Sequence, residues 1–215
     1  MFKGIISLGC FVACSAFGCT AFLLSDPHAQ LMGKSYDWKL SHGYIIINKK
    51  NVAKSSLVNH PPAKQAKWVS KYGSVTFNQF GQEFPNGGLN EAGLAVEILW
   101  LDETIYPNKN DTPAINELQW IQYQLDNFAN VQEVTENAPR IRVDHVYADV
   151  HYLVCDQSGA CATVEYLNGA LVIHSGKILD IRLLTNDTYA KSNKFLIKHR
   201  GFGGKKRPPQ GRKSL

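Results

Sequence analysis

Cys19 is the residue in this chain best placed to do chemistry. It follows a short positive start, Met1-Phe2-Lys3, and an apolar run from Gly4 to Phe17. Ala16 and Gly18 stand at the −3 and −1 positions of a small-residue cleavage site, so residues 1–18 read as a secretory signal peptide. Cleavage there leaves Cys19 as a new N-terminus, carrying a thiol and a free α-amine on one residue. An α-amine has a pKa of about 8, so near neutrality much of it can accept a proton. The nucleophile then brings its own general base. The plainer alternative makes Cys19 one more small residue at the end of a leader.

The other cysteines divide by position. Cys10 and Cys14 fall inside the leader, and Cys155 and Cys161 bracket a turn-like segment, Asp156 to Ala160. In an exported protein a strand-turn-strand unit could bring those two thiols together as a disulfide. Two buried free thiols are the alternative. A zinc pair is disfavoured because no matching Cys/His pair follows. No metal and no cofactor is expected.

Composition sets the broad class. Removing 18 residues from 215 leaves 197, enough for one domain or part of a larger one. Hydrophobic residues at 44% and charged residues at 19% suit a globular protein. No later apolar run approaches the roughly 20 residues of a membrane span. Arg200, Lys205, Lys206, Arg207, Arg212 and Lys213 all lie in the last 16 residues, and removing those six takes the formal charge from +5 to −1. The body is therefore near neutral, and no nucleic-acid partner is expected. The tail reads as a solvated loop.

The elements that must hold Cys19 are β-rich. Strands are expected from Cys19 to Ser25 and Gln30 to Ser35, joined by a turn at Asp26-Pro27, and from Tyr44 to Asn48. Asn59 to Lys67 reads as a loop, Ser74 to Phe80 as a half-buried strand, and Pro85-Asn86-Gly87-Gly88 as a turn before a buried strand from Gly93 to Leu101. Asp111-Thr112-Pro113 then predicts a helix start, with Pro113 at the first helical position and Ile115, Leu118, Ile121 or Gln122, Leu125 and Phe128 at helical spacing. A second short helix is expected at Val131 to Asn137. Strands return at His145 to Cys155, Cys161 to Tyr166, Ala170 to His174 and Ile178 to Thr185, with hairpin turns at Gly159 and Asn168-Gly169. Strands, then helices, then strands predict an α+β layered domain.

Four local strings recur in order along the chain. They are Cys19-Thr20-Ala21-Phe22, Gly33-Lys34-Ser35-Tyr36-Asp37-Trp38, Asn90-Glu91-Ala92-Gly93-Leu94-Ala95 leading to Leu99-Trp100-Leu101, and Leu184-Thr185-Asn186-Asp187. Together they resemble the choloylglycine hydrolase family, which holds penicillin V acylases and bile salt hydrolases among the N-terminal nucleophile hydrolases. Asp37-Trp38, Trp100 and the Cys155–Cys161 pair look more like Gram-negative penicillin V acylases than bile salt hydrolases. The resemblance implies an αββα four-layer sandwich over residues 19–215, incomplete at its C-terminal side, and hydrolysis of a linear amide in the periplasm or outside the cell. It implies Cys19 as nucleophile, Asp37 as the acid beside its amine, and Asn186 as the side-chain donor of an oxyanion hole. A backbone N–H at or near Trp100 would be the second donor, and Trp38 and Trp100 would line an apolar acyl pocket. Read without the resemblance, Asp37 could be a turn carboxylate, Asn186 a helix cap before Thr188 to Lys198, and Trp100 plain core.

Two departures accompany the resemblance. Lys34 stands where the family usually has arginine; it keeps the charge but loses the planar fork. It could still raise the thiolate fraction of Cys19 by proximity. Family members also continue well beyond the Gly201 to Gly204 string, into further strands and a catalytic arginine. A truncated, catalytically weak copy is therefore expected. The substrate expected is a small-molecule amide, either penicillin V-like or an N-acyl homoserine lactone, with bile salts as the runner-up. Homo-oligomers are expected of full-length relatives. The competing classes are an inactive remnant or pseudoenzyme, and a lipoprotein anchored through Cys19, which the Ala16-Phe17 pair fits poorly.

Overall fold

Alternation sets the strands. In Ser74–Asn78, Ser74, Thr76 and Asn78 are buried while Val75 and Phe77 face outward, as a two-residue period requires. The structure, a computed structural model, describes residues 18–58 and 64–198. The leader before Gly18, the Pro61-Pro62 pair and the basic tail from Arg200 lie outside the described residues.

In chain order the first strands are β1 (Thr20–Ser25), β2 (Gln30–Ser35), β3 (Tyr44–Asn48), β4 (Ala53–Ser55), β5 (Lys67–Val69), β6 (Ser74–Asn78), β7 (Pro85–Asn90), β8 (Ala95–Trp100) and β9 (Ala114–Asn116). Helices α1 (Glu117–Asn127) and α2 (Val131–Asn137) follow. Then come β10 (Arg142–Asp144), β11 (Val150–Cys155), β12 (Cys161–Leu167), β13 (Ala170–Ser175), β14 (Leu183–Leu184) and α3 (Tyr189–Ile197).

Two sheets stack. The larger has seven strands in the order β13-β12-β11-β8-β7-β6-β3, and the smaller has three, β14-β1-β2. Helices α1 and α2 bury Leu118, Trp120, Ile121, Leu125, Val131 and Val134 against one face of the large sheet, where Trp120 meets Tyr152 with ring centroids 4.2 Å apart. The small sheet covers the other face through Ala21, Leu23, Leu99, Leu153 and Leu184. α3 is held thinly: Tyr189 is its one buried residue, with its N–H on Glu165 and its ring against His174 of the large sheet. The α+β, αββα expectation describes this arrangement. The small sheet does not reach β3, β6 and the end of β7, so Ile47 on that face is 77% exposed, with Ile45, Phe77 and Leu89 beside it.

Several elements differ from the sequence reading, each for a physical reason. Pro85 to Gly88 is strand, not turn. The two glycines are there for close approach: a Cβ on Gly88 would lie 2.6 Å from the Val75 carbonyl oxygen and 3.1 Å from Leu125 of α1, and one on Gly87 would overlap the Glu97 carboxylate. The first helix starts at Glu117 rather than after Thr112, because Asn116 caps it, accepting from the Leu118 and Gln119 N–H groups. The preceding Ala114–Asn116 pairs in parallel with β10. Residues 145–149 are loop rather than strand, since the Glu117 carboxylate takes up the N–H groups of Val146, Tyr147 and Ala148. The expected strand from Ile178 to Thr185 shrinks to Leu183–Leu184 behind a 3-10 turn at Gly176–Ile178.

The hairpin turns stand as read. Gly159 has φ +81°, and Asn168 and Gly169 have φ +53° and +77°, the pair of positive values a two-residue I′ turn needs. Cys155 and Cys161 face each other at the end of the β11–β12 hairpin, Cα atoms 4.1 Å apart and sulfurs in bonding contact.

Candidate active site

Three strands converge on Cys19. It precedes β1, the central strand of the small sheet, and Ala21 pairs with Lys34 on one side and Leu184 on the other. Residues 34–38 and 184–186 are thereby brought to the Cys19 end of the sheet. Cys19 is 7% exposed and is the one free cysteine among the described residues. Its thiol donates to the backbone carbonyl of Asp37, with sulfur and oxygen 4.0 Å apart. The Asp37 side chain is exposed and makes no hydrogen bond among the described residues. With Gly18 attached, the Cys19 nitrogen here is a peptide nitrogen rather than an amine.

Asn186 lies two residues beyond β14. Its Nδ2 donates to the Trp100 carbonyl at 2.8 Å, while its Oδ1 is buried without a partner. It caps no helix, since α3 begins at Tyr189 and Thr188 is the cap. Trp38 and Trp100 stack with ring centroids 5.9 Å apart and planes 26° apart. Both line a cavity of about 40 Å³ together with Cys19, Tyr36, Asn86 and Leu99. A larger cleft of about 680 Å³ shares Tyr36, Trp38 and Asn86 with it and also touches Lys34 and Glu97. The structure therefore gathers Cys19, Trp38 and Trp100 at one cavity, joins Asn186 to Trp100, and brings Asp37 in through its backbone.

These features can be set beside known proteins. The model of the linear amide C–N hydrolases, choloylglycine hydrolase family, matches residues 19–211. The chain belongs to that family. It is 31% identical over 191 residues to the penicillin V acylase of Pectobacterium atrosepticum, covering 80% of this chain and 50% of that protein. It is similar to the solved penicillin V acylase of Agrobacterium tumefaciens, with TM-score 0.75 and 32% identity over 87% of this chain and 58% of that one. A variant of the conjugated bile acid hydrolase of Clostridium perfringens shares the fold, with TM-score 0.71 at 21% identity. The chain spans about half the length of the curated relative it matches.

Lys34 sits in a built environment. Its ammonium lies 3.0 Å from a Glu97 carboxylate oxygen, 2.9 Å from the Asn86 carbonyl and 4.7 Å from the centre of the Tyr36 ring. Its charge is thus engaged by Glu97, and its hydrogen bonds and ion pairs among the described residues do not include the Cys19 sulfur. Burial pushes the Glu97 carboxyl above its ordinary value, and Lys34 pulls it part of the way back.

Tyr36, Asn86 and Glu97 are site residues that the sequence reading missed. The Tyr36 hydroxyl donates to Gln79 Oε1 at 2.9 Å and accepts from Asn86 Nδ2 at 2.8 Å. Burial, then the negative charge of a Cys19 thiolate nearby, push the Tyr36 phenol up to about 12. Asn86 was hidden in a string that looked like a turn. Glu97 carried a usable signal, a carboxylate in the middle of an otherwise apolar strand. Among the described residues no group of three or more His, Cys, Asp or Glu could hold a metal ion, and no helix is long and apolar enough to cross a membrane.

Proposed function

We propose that this chain carries the nucleophile half of an exported cysteine amidohydrolase whose mature N-terminus is Cys19. The observation that carries the reading is the convergence of Cys19 and the stacked Trp38–Trp100 pair at one apolar cavity, with Asn186 bonded to the Trp100 carbonyl. The family match that begins at residue 19 supports the same start point.

The α-amine of processed Cys19 takes the thiol proton, and the thiolate attacks the amide carbon. Asn186 Nδ2 carries a second hydrogen beside the one given to Trp100, and this one steadies the oxyanion together with a backbone N–H near Trp100. Collapse breaks the C–N bond, and the α-ammonium hands its proton to the departing amine. Water then cleaves the thioester, with the amine again as base. Asp37, once the peptide to Gly18 is cut, has a free carboxylate with which to orient the new ammonium.

The acyl side of the substrate is aryl or alkyl, because indole faces line the cavity and leave little polar surface for it. A phenoxyacetyl amide of the penicillin V type is the first choice, in keeping with the two relatives above 30% identity. N-acyl homoserine lactones fit the same chemistry. Bile salts rank lower, since that neighbour shares only the fold.

A second reading, an inactive relative, is favoured by the engagement of Lys34 with Glu97, which leaves Cys19 without a cationic contact among the described residues. One experiment separates the two. The chain beginning at Cys19 is incubated with penicillin V, and its intact mass is followed. A phenoxyacetyl adduct on Cys19, or release of phenoxyacetate into solution, supports the hydrolase; a folded chain that forms no adduct at any time and releases no phenoxyacetate supports the inactive reading.

A further inference from the structure

Glu165 is a fully buried carboxyl group in the middle of β12. Such side chains are almost never fully buried unless they are paired. Glu165 shares a face of the strand with Cys161 and Thr163, toward the small sheet, while Val164 and Tyr166 enter the core under α1 and α2. Three neighbours hold it. His151 of β11 sets Nδ1 3.2 Å from Oε1, and His174 of β13 sets Nδ1 3.5 Å from Oε2. Those imidazoles come from the strands on either side and brace the carboxyl group within the sheet. The third contact leaves the sheet: the Tyr189 N–H donates to Oε1 at 2.9 Å.

Tyr189 is the first residue of α3. The first N–H groups of a helix have no partner within it, so a carboxyl oxygen there fills a real vacancy. Tyr189 also reaches backward, its hydroxyl accepting from the Ile181 N–H at 3.2 Å. Its two bonds bracket residues 181–189, and Asn186 lies inside that bracket. Leu184 and Tyr189 are buried, and residues 185–188 between them are half-buried. Leu184 is fixed by pairing with Ala21 of β1.

Little else holds the stretch between these anchors. Apart from the Asn186–Trp100 bond, the side-chain bonds of residues 185–188 among the described residues stay within the segment or reach only α3. Thr185 Oγ1 lies 3.2 Å from Ser192 Oγ, and Asp187 pairs with Lys191 at 3.0 Å on the surface, where ion pairs contribute little. Glu165 is thus the tie between the large sheet and the residue that closes the segment. We propose that Glu165, acting through Tyr189, is a positioning residue for Asn186, keeping its amide on the Trp100 carbonyl with the second hydrogen free for the oxyanion. The proposal rests on Asn186 as the oxyanion donor in the reading above.

Two readouts on the chain beginning at Cys19 test it. The side-chain amide resonances of Asn186 report its bond to Trp100 whether or not Cys19 reacts. Glu165→Leu should move them toward those of an exposed asparagine. Glu165→Gln keeps an acceptor for the Tyr189 N–H and should leave them in place. The second readout is acylation of Cys19 across a series of penicillin V concentrations. Glu165→Leu should lower the maximal rate by about tenfold or more, with half-saturation within about twofold of the parent, because a slightly misplaced group fails in the transition state rather than in binding. Glu165→Gln should recover most of the rate. In an Asn186→Ala background Glu165→Leu should change the rate by less than about twofold, since no donor remains to be placed.

A folded Glu165→Leu chain with parental Asn186 resonances would overturn the proposal, as would a rate loss equally large in the Asn186→Ala background. Where Glu165→Leu does not fold, Tyr189→Phe takes its place. It keeps the ring and loses the bond to Ile181, and it should shift the same resonances; parental resonances in that folded variant overturn the proposal. A parent that never acylates Cys19 and releases no phenoxyacetate removes the hydrolase reading, and the Asn186 resonances then decide the positioning by themselves.

Discussion

Asn186 separates two energies that a single substitution can measure. In the folded chain its Nδ2 makes one hydrogen bond, to the Trp100 carbonyl at 2.8 Å, and its Oδ1 makes none. A neutral hydrogen bond contributes about 0.5–1.5 kcal/mol net. Asn186→Ala loses that bond but also removes a buried acceptor that was already unmatched, so the stability loss should fall at the low end of the range. For a chain of this size each kcal/mol lowers the melting temperature by about 2–4 °C. Melting should therefore drop by no more than a few degrees. The loss in the reaction is larger, because an oxyanion donor lowers the rate by about 10²–10³-fold when removed, or about 2.7–4 kcal/mol. Asn186→Asp gives a control of different sign: it keeps the shape, has no donor, and sets a carboxylate against the Trp100 carbonyl. It should acylate as slowly as the alanine variant and melt lower. The assay is the rate at which penicillin V acylates Cys19, followed by mass in chain that begins at Cys19, with thermal melts alongside. An alanine variant that acylates within about threefold of the parent, less than 1 kcal/mol, would refute the oxyanion role.

Secreted material should begin at Cys19 on N-terminal sequencing, and Cys19→Ala should form no acyl adduct; another start residue, or an adduct elsewhere, contradicts the nucleophile assignment. Cys155 and Cys161, six apart in sequence, should be isolated as a disulfide, and the chain-entropy relation gives such a short loop about 2 kcal/mol of stabilisation. Reduction should then lower melting by about 4–8 °C; two free thiols after alkylation under non-reducing conditions would count against it. Glu97 titrates above its ordinary 4.5 in the folded chain, so between the two values the native state holds more protons than the unfolded one. Its contribution is best below 4.5 and declines as pH rises through the folded value. Glu97→Gln should remove that decline, whereas melting-against-pH curves that stay parallel for variant and parent would show that Glu97 is not its source.

Some elements could be read because their rules are local. β2 and β3 span the residues expected of them, as does α2, where Asn130 caps the first turn by accepting from the Glu133 N–H. What escaped was set by distant neighbours. Gly87 and Gly88 signal a turn locally, and only the approach of Glu97, Val75 and Leu125 reveals why they lack side chains. Pro113 resembles a helix start, but β10 recruits the following residues as a strand. The site divides in the same way. Cys19, Asp37, Trp38, Trp100 and Asn186 stand in short strings that are recognisable together, by their order along the chain. The link from Lys34 to Glu97 depends on two strands of different sheets facing each other, and no stretch of sequence states it.

That dependence makes the far end of β2 a determinant of the site. Residues opposite one another on β1 and β2 run from Thr20 and Ser35 to Ser25 and Gln30. A slip by one residue would turn Lys34 to the other face, away from Glu97, and carry Asp37 past the Cys19 thiol. Two features that take no part in the chemistry hold the register. Asp26 closes the connecting turn, its side chain accepting from the N–H groups of His28 and Ala29 at 2.7 and 2.9 Å while its own N–H donates to the Ala29 carbonyl at 3.0 Å. Gly33 lies opposite Phe22 and beneath its ring, where a Cβ would come within 2.5 Å of Cζ. Any neighbouring register sets a residue with a side chain under that ring and misplaces the turn. The alignment of nucleophile, lysine and carboxylate is thus fixed by an aspartate in the connecting turn and by a glycine whose part is to lack a side chain.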